Sequence, residues 1–338
     1  MTIVNSNFMR IDAAVADLNQ GHYIEMPEFQ PGMMDMLRRD YTILSRINAT
    51  PATGYPSRYW EQTKLPDNSG FIDVRGGGTG YTGYSKDTLD EDYGRVEKSL
   101  YLKAIVSGIK FTLFDKEVVQ QQGQMEFLLA KDMADMTVTT LRKMNNGLWN
   151  GAATTVIDTT SKEYCGIITQ IGAAKATIAS TDTTTKIPTV IREQVAKGVA
   201  NTTWDARPTA IYANPMSIHI LEEELSKEVN WSRNDSYMEL VPGVRVPAIV
   251  TQAGRLPIIP DPFIPVASVA GKDTHSFIVM NESLLEYHYL TSFLPRTFKM
   301  GINTSLTDNY LQLAFGAPVL KGVQTGSHFI VKKEVATA

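Results

Sequence analysis

Three things are scarce in this chain. It has one cysteine, little net charge and no long apolar run. The lone Cys165 excludes an intrachain disulfide and any multi-cysteine metal site. With 32 basic against 36 acidic residues the formal charge is −4. There is no basic stripe of the kind that marks a sequence-reading nucleic-acid binder. No uncharged apolar window approaches the ~18 residues of a membrane span. The opening Met1-Thr2-Ile3-Val4-Asn5 lacks a charged region followed by an apolar one, so no secretory signal is expected. The chain reads as soluble and made in the cytoplasm. Catalytic signatures are scarce too. His22, His219, His275, His288 and His328 are scattered, with no pair at i, i+3 or i+4, so core or surface roles are favoured over a metal or acid–base site. No Gly-x-Ser-x-Gly elbow and no P-loop lysine is present. Glu222-Glu223-Glu224 beside Lys227 reads as a solvated helix face with local ion pairs.

What is present is a chain of 338 residues, 43% hydrophobic, long enough for one large or two ordinary domains. Its organising stretch runs from Arg95 to Gly151. From Arg95 to Val106 polar and apolar residues alternate, the period of a half-buried strand. From Gln124 to Trp149 the period changes. Met125, Leu129, Met133, Met136, Met144 and Leu148 fall on one face of a long helix. Asn145-Asn146-Gly147 and Asn150-Gly151 are expected to end it as left-handed caps. The methionines read as adaptable packing.

Upstream, residues 1–60 read as an arm. A short amphipathic helix (Phe8, Ile11, Ala14, Val15, Leu18) is followed by proline-punctuated segments. Met33, Met34 and Leu37 there offer apolar surface that a short segment must pack on something else, its own domain or a neighbouring subunit. Residues 61–110 form an extended hairpin around the glycine-rich tip Arg75-Gly76-Gly77-Gly78-Thr79-Gly80-Tyr81-Thr82-Gly83-Tyr84, with Phe71–Val74 as a short strand before it. Gly78, Gly80 and Gly83 match G-x-G-x-x-G. A dinucleotide site would also need a helix opening at the third glycine, and no apolar helical stripe follows. The glycines are better read as a tip that tolerates φ > 0.

Downstream, a short strand is expected near Gly166-Ile167-Ile168. Residues 186–285 then read as helix (Ile187–Gly198), strand (Pro208–Ala213), helix from Asn214-Pro215, and two strands (Leu256–Asp261, Ser276–Met280): an α+β domain. Thr297–Asn303 and Tyr310–Ala317 alternate in period 2, with Asp308-Asn309 in the expected turn. With the segment Val319–Lys332 they are expected to pair with the strand at Arg95.

Three runs carry a resemblance to a known family: Met144-Asn145-Asn146-Gly147-Leu148-Trp149-Asn150-Gly151 leading to Gly166-Ile167-Ile168; Pro208-Thr209-Ala210-Ile211-Tyr212-Ala213-Asn214-Pro215; and Leu256-Pro257-Ile258-Ile259-Pro260-Asp261. In this order, over about residues 8–332, the chain resembles the major capsid proteins of tailed bacteriophages. The resemblance implies an α+β, HK97-like capsid fold with an N-terminal arm (1–60), an E-loop hairpin (61–110), a peripheral domain with a spine helix (111–185), an axial domain (186–285) and return strands of the peripheral domain (286–338). It implies a structural protein, not an enzyme, without cofactor or metal. Copies would join as hexamers and pentamers of an icosahedral virion head, assembled in the host cytoplasm around double-stranded DNA bound without sequence specificity. A portal and a separate scaffolding or decoration protein are implied partners, and no membrane is. No long charged helix precedes the arm, so a fused scaffold is not expected. Arg75, Gly76, Gly77, Gly78, Tyr81, Tyr84, Met33, Met34 and Leu37 are the expected intersubunit contacts. Some members join a loop lysine to a late-strand asparagine; Lys86 and Asn309 sit in comparable regions, but no carboxylate catalyst can be placed. The alternatives are an encapsulin-type compartment shell and, more remotely, a nucleotide-binding enzyme using Gly76–Gly83.

Overall fold

The computed structural model describes residues 41–65, 94–114, 117, 121, 125–226, 237–241, 244–269, 271–302 and 306–336. The first strands are β1 (Asn48–Pro51), β2 (Ser57–Gln62), β3 (Arg95–Leu100) and β4 (Lys103–Thr112). The alternating stretch from Arg95 is therefore two strands, not one. Leu100 and Leu102 both turn into the core, and the Tyr101 N–H leaves the ladder to bond the Val156 carbonyl at 3.1 Å. That junction lets β3 pair with β2, from Ser57↔Leu100 to Gln62↔Arg95, while β4 joins a different sheet.

Helix α1 spans Met125–Asn150, about 39 Å at 1.5 Å per residue. Met136, Met144 and Leu148 of the expected stripe are buried and Met133 is half-buried. The side chains of Met125 and Leu129 lie outside the described residues. Thr140, Asn145 and Trp149 complete the buried face. The helix does not stop at Asn145-Asn146-Gly147, as the sequence suggested. Asn145 is wholly buried, and Gly147 carries the Tyr164 ring against the helix; a Cβ there would lie 3.0 Å from it. The end comes at Gly151 through close backbone approach, not a left-handed cap. A Cβ on Gly151 would sit 2.4 Å from the Tyr164 carbonyl oxygen, and one on Gly166 would sit 2.5 Å from that of Trp149. The chain leaving the helix and the chain entering the next element thus touch main chain to main chain, with an isolated bridge between Ala152 and Cys165. The expected strand at Gly166–Ile168 is instead a short helix, α2 (Ile167–Ile171), anchored by the fully buried Ile167 and ended by Gly172 at φ 83°.

The next elements are β5 (Ala176–Ile178), α3 (Ile187–Val199), β6 (Ala210–Ala213), α4 (Pro215–Ser226), β7 (Tyr237–Val241), β8 (Val244–Thr251), β9 (Gly254–Pro260), β10 (Ala267–Val269) and β11 (Lys272–Met280). The helix–strand–helix order read from the sequence is observed. Glu224 does not belong to a purely solvated face: it turns inward and accepts the Ile187 N–H at 2.7 Å, at the start of α3.

The last strands are β12 (Leu285–Tyr289), β13 (Arg296–Ile302), β14 (Thr307–Leu320) and β15 (Phe329–Ala336). The first sheet runs β1-β12-β14-β13, with β4 on the opposite side of β14. Asp308 and Asn309 are in β14, opposite Ile302 and Gly301, and not in a turn. Asp308 is buried there, facing Lys299. The return segment divides. β14 pairs with β4, but β15 crosses to the second sheet, whose order is β5-β15-β11-β6-β9-β8-β7. Phe329, Ile330 and Val331 explain the crossing, because three consecutive buried apolar residues need cover on both faces of a sheet.

The second sheet has that cover. Ile211, Ile258, Phe277, Val279, Phe329 and Val331 pack against α3 and α4. On its other face Tyr212, Ile259, Ile278 and Ile330 meet Trp149, Leu148 and Met144 of α1, with Ile43, Leu44 and Ile47. The C-terminal end of α1 is therefore clamped between the two sheets.

Candidate assembly interface

Every residue the sequence offered as an intersubunit contact (Arg75, Gly76, Gly77, Gly78, Tyr81, Tyr84, Met33, Met34, Leu37) lies outside the described residues, as do the whole Gly76–Gly83 tip and Lys86. What is described is the base from which that loop leaves. β2 and β3 form a two-stranded ribbon beginning at Ser57, within the stretch read as arm. Its free end is closed by Thr63, whose N–H bonds the Gly94 carbonyl at 2.8 Å. Gly94 has φ 37°, and a Cβ on it would lie 2.6 Å from that of Lys64, so this position needs glycine.

The ribbon is fastened to the first sheet by its inner face. Ser57 Oγ lies 2.8 Å from His288 Nδ1, and His288 Nε2 is 3.1 Å from a Glu286 carboxylate oxygen. The other Glu286 oxygen accepts Lys321 Nζ at 2.6 Å, and the same ammonium sits 5.6 Å over the Tyr59 ring. Glu61 accepts the Gly322 N–H at 2.7 Å and pairs with Lys98. Burial lowers the His288 pKa, so the imidazole is held neutral between its two partners. Burial works to raise the Glu286 pKa, but Lys321 and His288 outweigh it and hold the carboxyl below its ordinary range. Ser, His and Glu at hydrogen-bond spacing resemble a nucleophilic triad. Here the serine is 5% exposed, so the set acts as a rivet between two strands. No local pattern points to it, because Ser57 and His288 are 231 positions apart.

A second fastening joins α1 to the second sheet. Asp261, fully buried at the end of β9, accepts Trp149 Nε1–H at 2.9 Å and the Phe263 N–H at 3.0 Å. Burial raises its pKa. Arg46 grips Glu282 with two nitrogens, Nη2 at 2.8 Å, and Tyr212 donates to the same carboxylate.

The outer face of the first sheet carries an apolar patch. Strand alternation turns one side of β4 and β14 toward α1, where Gln312 hydrogen-bonds Thr140 and Thr137. The other side presents Val106, Phe298 and Phe315 at 57%, 41% and 37% exposure, with Leu311 and Leu313 half-buried among them. Met300 and Ile302 are further exposed apolar side chains on the edge strand β13, and Leu306 is another just before β14. Surfaces of this kind mark protein–protein contacts. Among the described residues, no cluster of three or more His, Cys, Asp or Glu could hold a metal, and no helix is long and apolar enough to cross a membrane.

A family model described as SU10 major capsid protein matches residues 105–301, from β4 into β13. The chain belongs to this family. It is a structural protein of a phage virion, a subunit of an oligomeric capsid shell. Solved structures give the same architecture for this capsid protein. That of Gordonia phage Cozz is 13% identical, covers 100% of this chain and 98% of its own, and has a TM-score of 0.56. The capsid of the native GTA particle is 11% identical over 95% of this chain and 99% of its own, with a TM-score of 0.57. The holo-SrpI encapsulin complex from Synechococcus elongatus PCC 7942 is 12% identical over 94% of each, with a TM-score of 0.51. At these identities the likeness is one of fold, and it is the HK97-like capsid fold that the sequence resemblance implied. No curated protein sequence matches the chain.

Proposed function

We propose that this capsid protein forms hexamers and pentamers that close into an icosahedral head around double-stranded DNA. Assembly takes place in the host cytoplasm with a portal and a separate scaffolding or decoration protein. The observation that carries the reading is the apolar patch on the outer face of β4, β14 and β13, which no described element of the subunit covers. The arm (1–60) and the E-loop hairpin (61–110) cover such surface on neighbouring copies, with Arg75, Gly76, Gly77, Gly78, Tyr81, Tyr84, Met33, Met34 and Leu37 at the contacts. Residues 111–185, with α1 as spine, and 286–328 form the peripheral domain. The axial domain, 186–285 joined by β15, packs around the capsomer axis. The protein works as a wall, not as a catalyst.

The charge supports enclosure of DNA. Each phosphate neutralised by Lys or Arg adds affinity through counterion release, and a packed genome must not adhere to its container. A mildly acidic chain, with pI ≈ 5.8, avoids that adhesion. The test is the content and symmetry of purified heads. Nuclease-protected double-stranded DNA inside particles with five- and six-coordinated capsomers is the expected result, and particles lacking either would contradict it. The near-complete mutual coverage with the encapsulin complex favours a compartment shell as second reading. Particles filled with a co-purifying enzyme and free of DNA would establish that one instead.

A further inference from the structure

Beside α1 lies a groove of about 220 Å³ that neither fastening uses. Its floor is apolar, made by Ala104, Ile105 and Val106 of β4 with Gly147 and Tyr164. Its rim carries Lys103, Lys143 and Lys162 against a single acid, Glu163. Glu163 is already engaged, accepting Lys143 Nζ at 2.7 Å and the Ala152 N–H at 3.3 Å. Lys103 donates to two neutral acceptors, the Asp158 and Ser161 carbonyls, both at 2.6 Å. Lys162 is exposed and forms no ion pair among the described residues. The groove is therefore net positive. No described strand pairs with the edge of β4 away from β14, so main-chain donors and acceptors line the same opening.

The chain contains one segment of matching chemistry. Asp87-Thr88-Leu89-Asp90-Glu91-Asp92-Tyr93 places four carboxylates in six residues, with Leu89 and Tyr93 between and after them. It reaches the described ribbon at Gly94. From there β3 and Tyr101-Leu102 run eight residues to Lys103, a contour of about 26 Å at roughly 3.3 Å per residue. A segment filling the groove of its own subunit would have to double back along its own ribbon; one from an adjacent subunit would not. We infer that the groove between β4 and α1 binds the acidic stretch 87–92 of a second copy, carboxylates toward Lys143 and Lys162 and an apolar side chain on the Ile105–Tyr164 floor. The backbone would lie along β4 in the manner of an added strand. This rests on the proposed loop-to-neighbour contact and names its chemistry: an acidic hook on one copy, a basic slot on the next.

Charge reversal tests it. Lys143→Glu with Lys162→Glu, and separately Asp90→Lys with Glu91→Lys, are each expected to lower the sedimenting shell fraction at least tenfold, while the subunit melts as the native one does. Both pairs of reversals in one chain should restore shells to within about twofold. Normal shells from either reversal alone would overturn the inference, and so would failure of the combined chain to recover. Lys162→Cys with Glu91→Cys distinguishes the source, since the native Cys165 is buried. Oxidised particles should run as a ladder of multimers in denaturing gels; a bond confined to monomers, or none, contradicts a second-copy occupant. If deleting residues 76–83 leaves assembly intact, the loop-to-neighbour reading fails on its own. Charge reversals that leave assembly intact while that deletion abolishes it place the fault in the slot alone.

Discussion

His328 is 1% exposed, and both of its ring nitrogens are engaged. Nδ1 accepts the Asn281 N–H at 3.2 Å, so Nε2 carries the proton and donates it to the Lys321 carbonyl at 3.0 Å. Only the neutral ring satisfies both, and burial lowers the pKa to about 4. Because the folded value lies below the unfolded one of about 6.5, the contribution to stability is complete above pH 6.5 and is lost as pH falls through about 4. The full loss is of order 3 kcal/mol. His275 and His288 are displaced in the same direction by burial. Urea midpoints of the dissociated subunit should therefore fall between pH 6.5 and 4, and His328→Gln should flatten that slope; an unchanged slope in the variant would refute the assignment. Gly166 makes a second residue-scale case. Its φ of −65° is open to any residue, so the constraint is space alone. Gly166→Ala would drive a Cβ against the main chain of Trp149 and Gly151, at 2.5 and 2.6 Å. We expect a loss of about 1–3 kcal/mol in chemical denaturation. Neither glycine of that contact could be assigned from sequence. A left-handed turn and a backbone-to-backbone approach both ask for glycine, and only the fold tells them apart.

Elements were legible where one face is apolar and the period is sustained. β6, β9 and β11, in the sheet covered on both faces, read instead as short continuous apolar runs; α1, α3 and α4 follow from that rule. It fails where a strand changes partners in mid-run, as at Tyr101-Leu102, because alternation records which side faces the core and not which sheet supplies it. It fails again for β15, whose buried run reads as strand but carries no mark of its neighbours β11 and β5. The candidate interface was legible only as a loop that must touch something. Its root, the Ser57–His288–Glu286 rivet, joins residues that no local pattern connects. Removing the rivet with His288→Ala should leave a folded subunit but free the ribbon. Amide exchange across β2 and β3 should then rise at least tenfold, with β6 and β11 unchanged. Deleting residues 76–83 acts on the same element from its other end. The subunit is expected to keep its melting behaviour and lose stable shells, and normal particles from that deletion would contradict the role given to the loop.

At the scale of the whole molecule, the described residues cover the second sheet on both faces and the first on one. α3 and α4 close the second sheet, α1 braces both, and no described element covers the outer face of β4, β14 and β13. A side chain that disrupts that face without touching the core separates folding from assembly. Val106→Asp, at a position 57% exposed, should change subunit stability by less than about 0.5 kcal/mol and abolish lateral association. Sedimentation of the variant beside the native chain checks both at once. The capsid family and the neighbours' fold place this chain in a shell, and the open face is what the shell would cover. Negative-stain microscopy of the purified, expressed chain tests that most directly. Closed particles, capsomer rings or sheets are the predicted result, and a dispersed monomer at high concentration would contradict it.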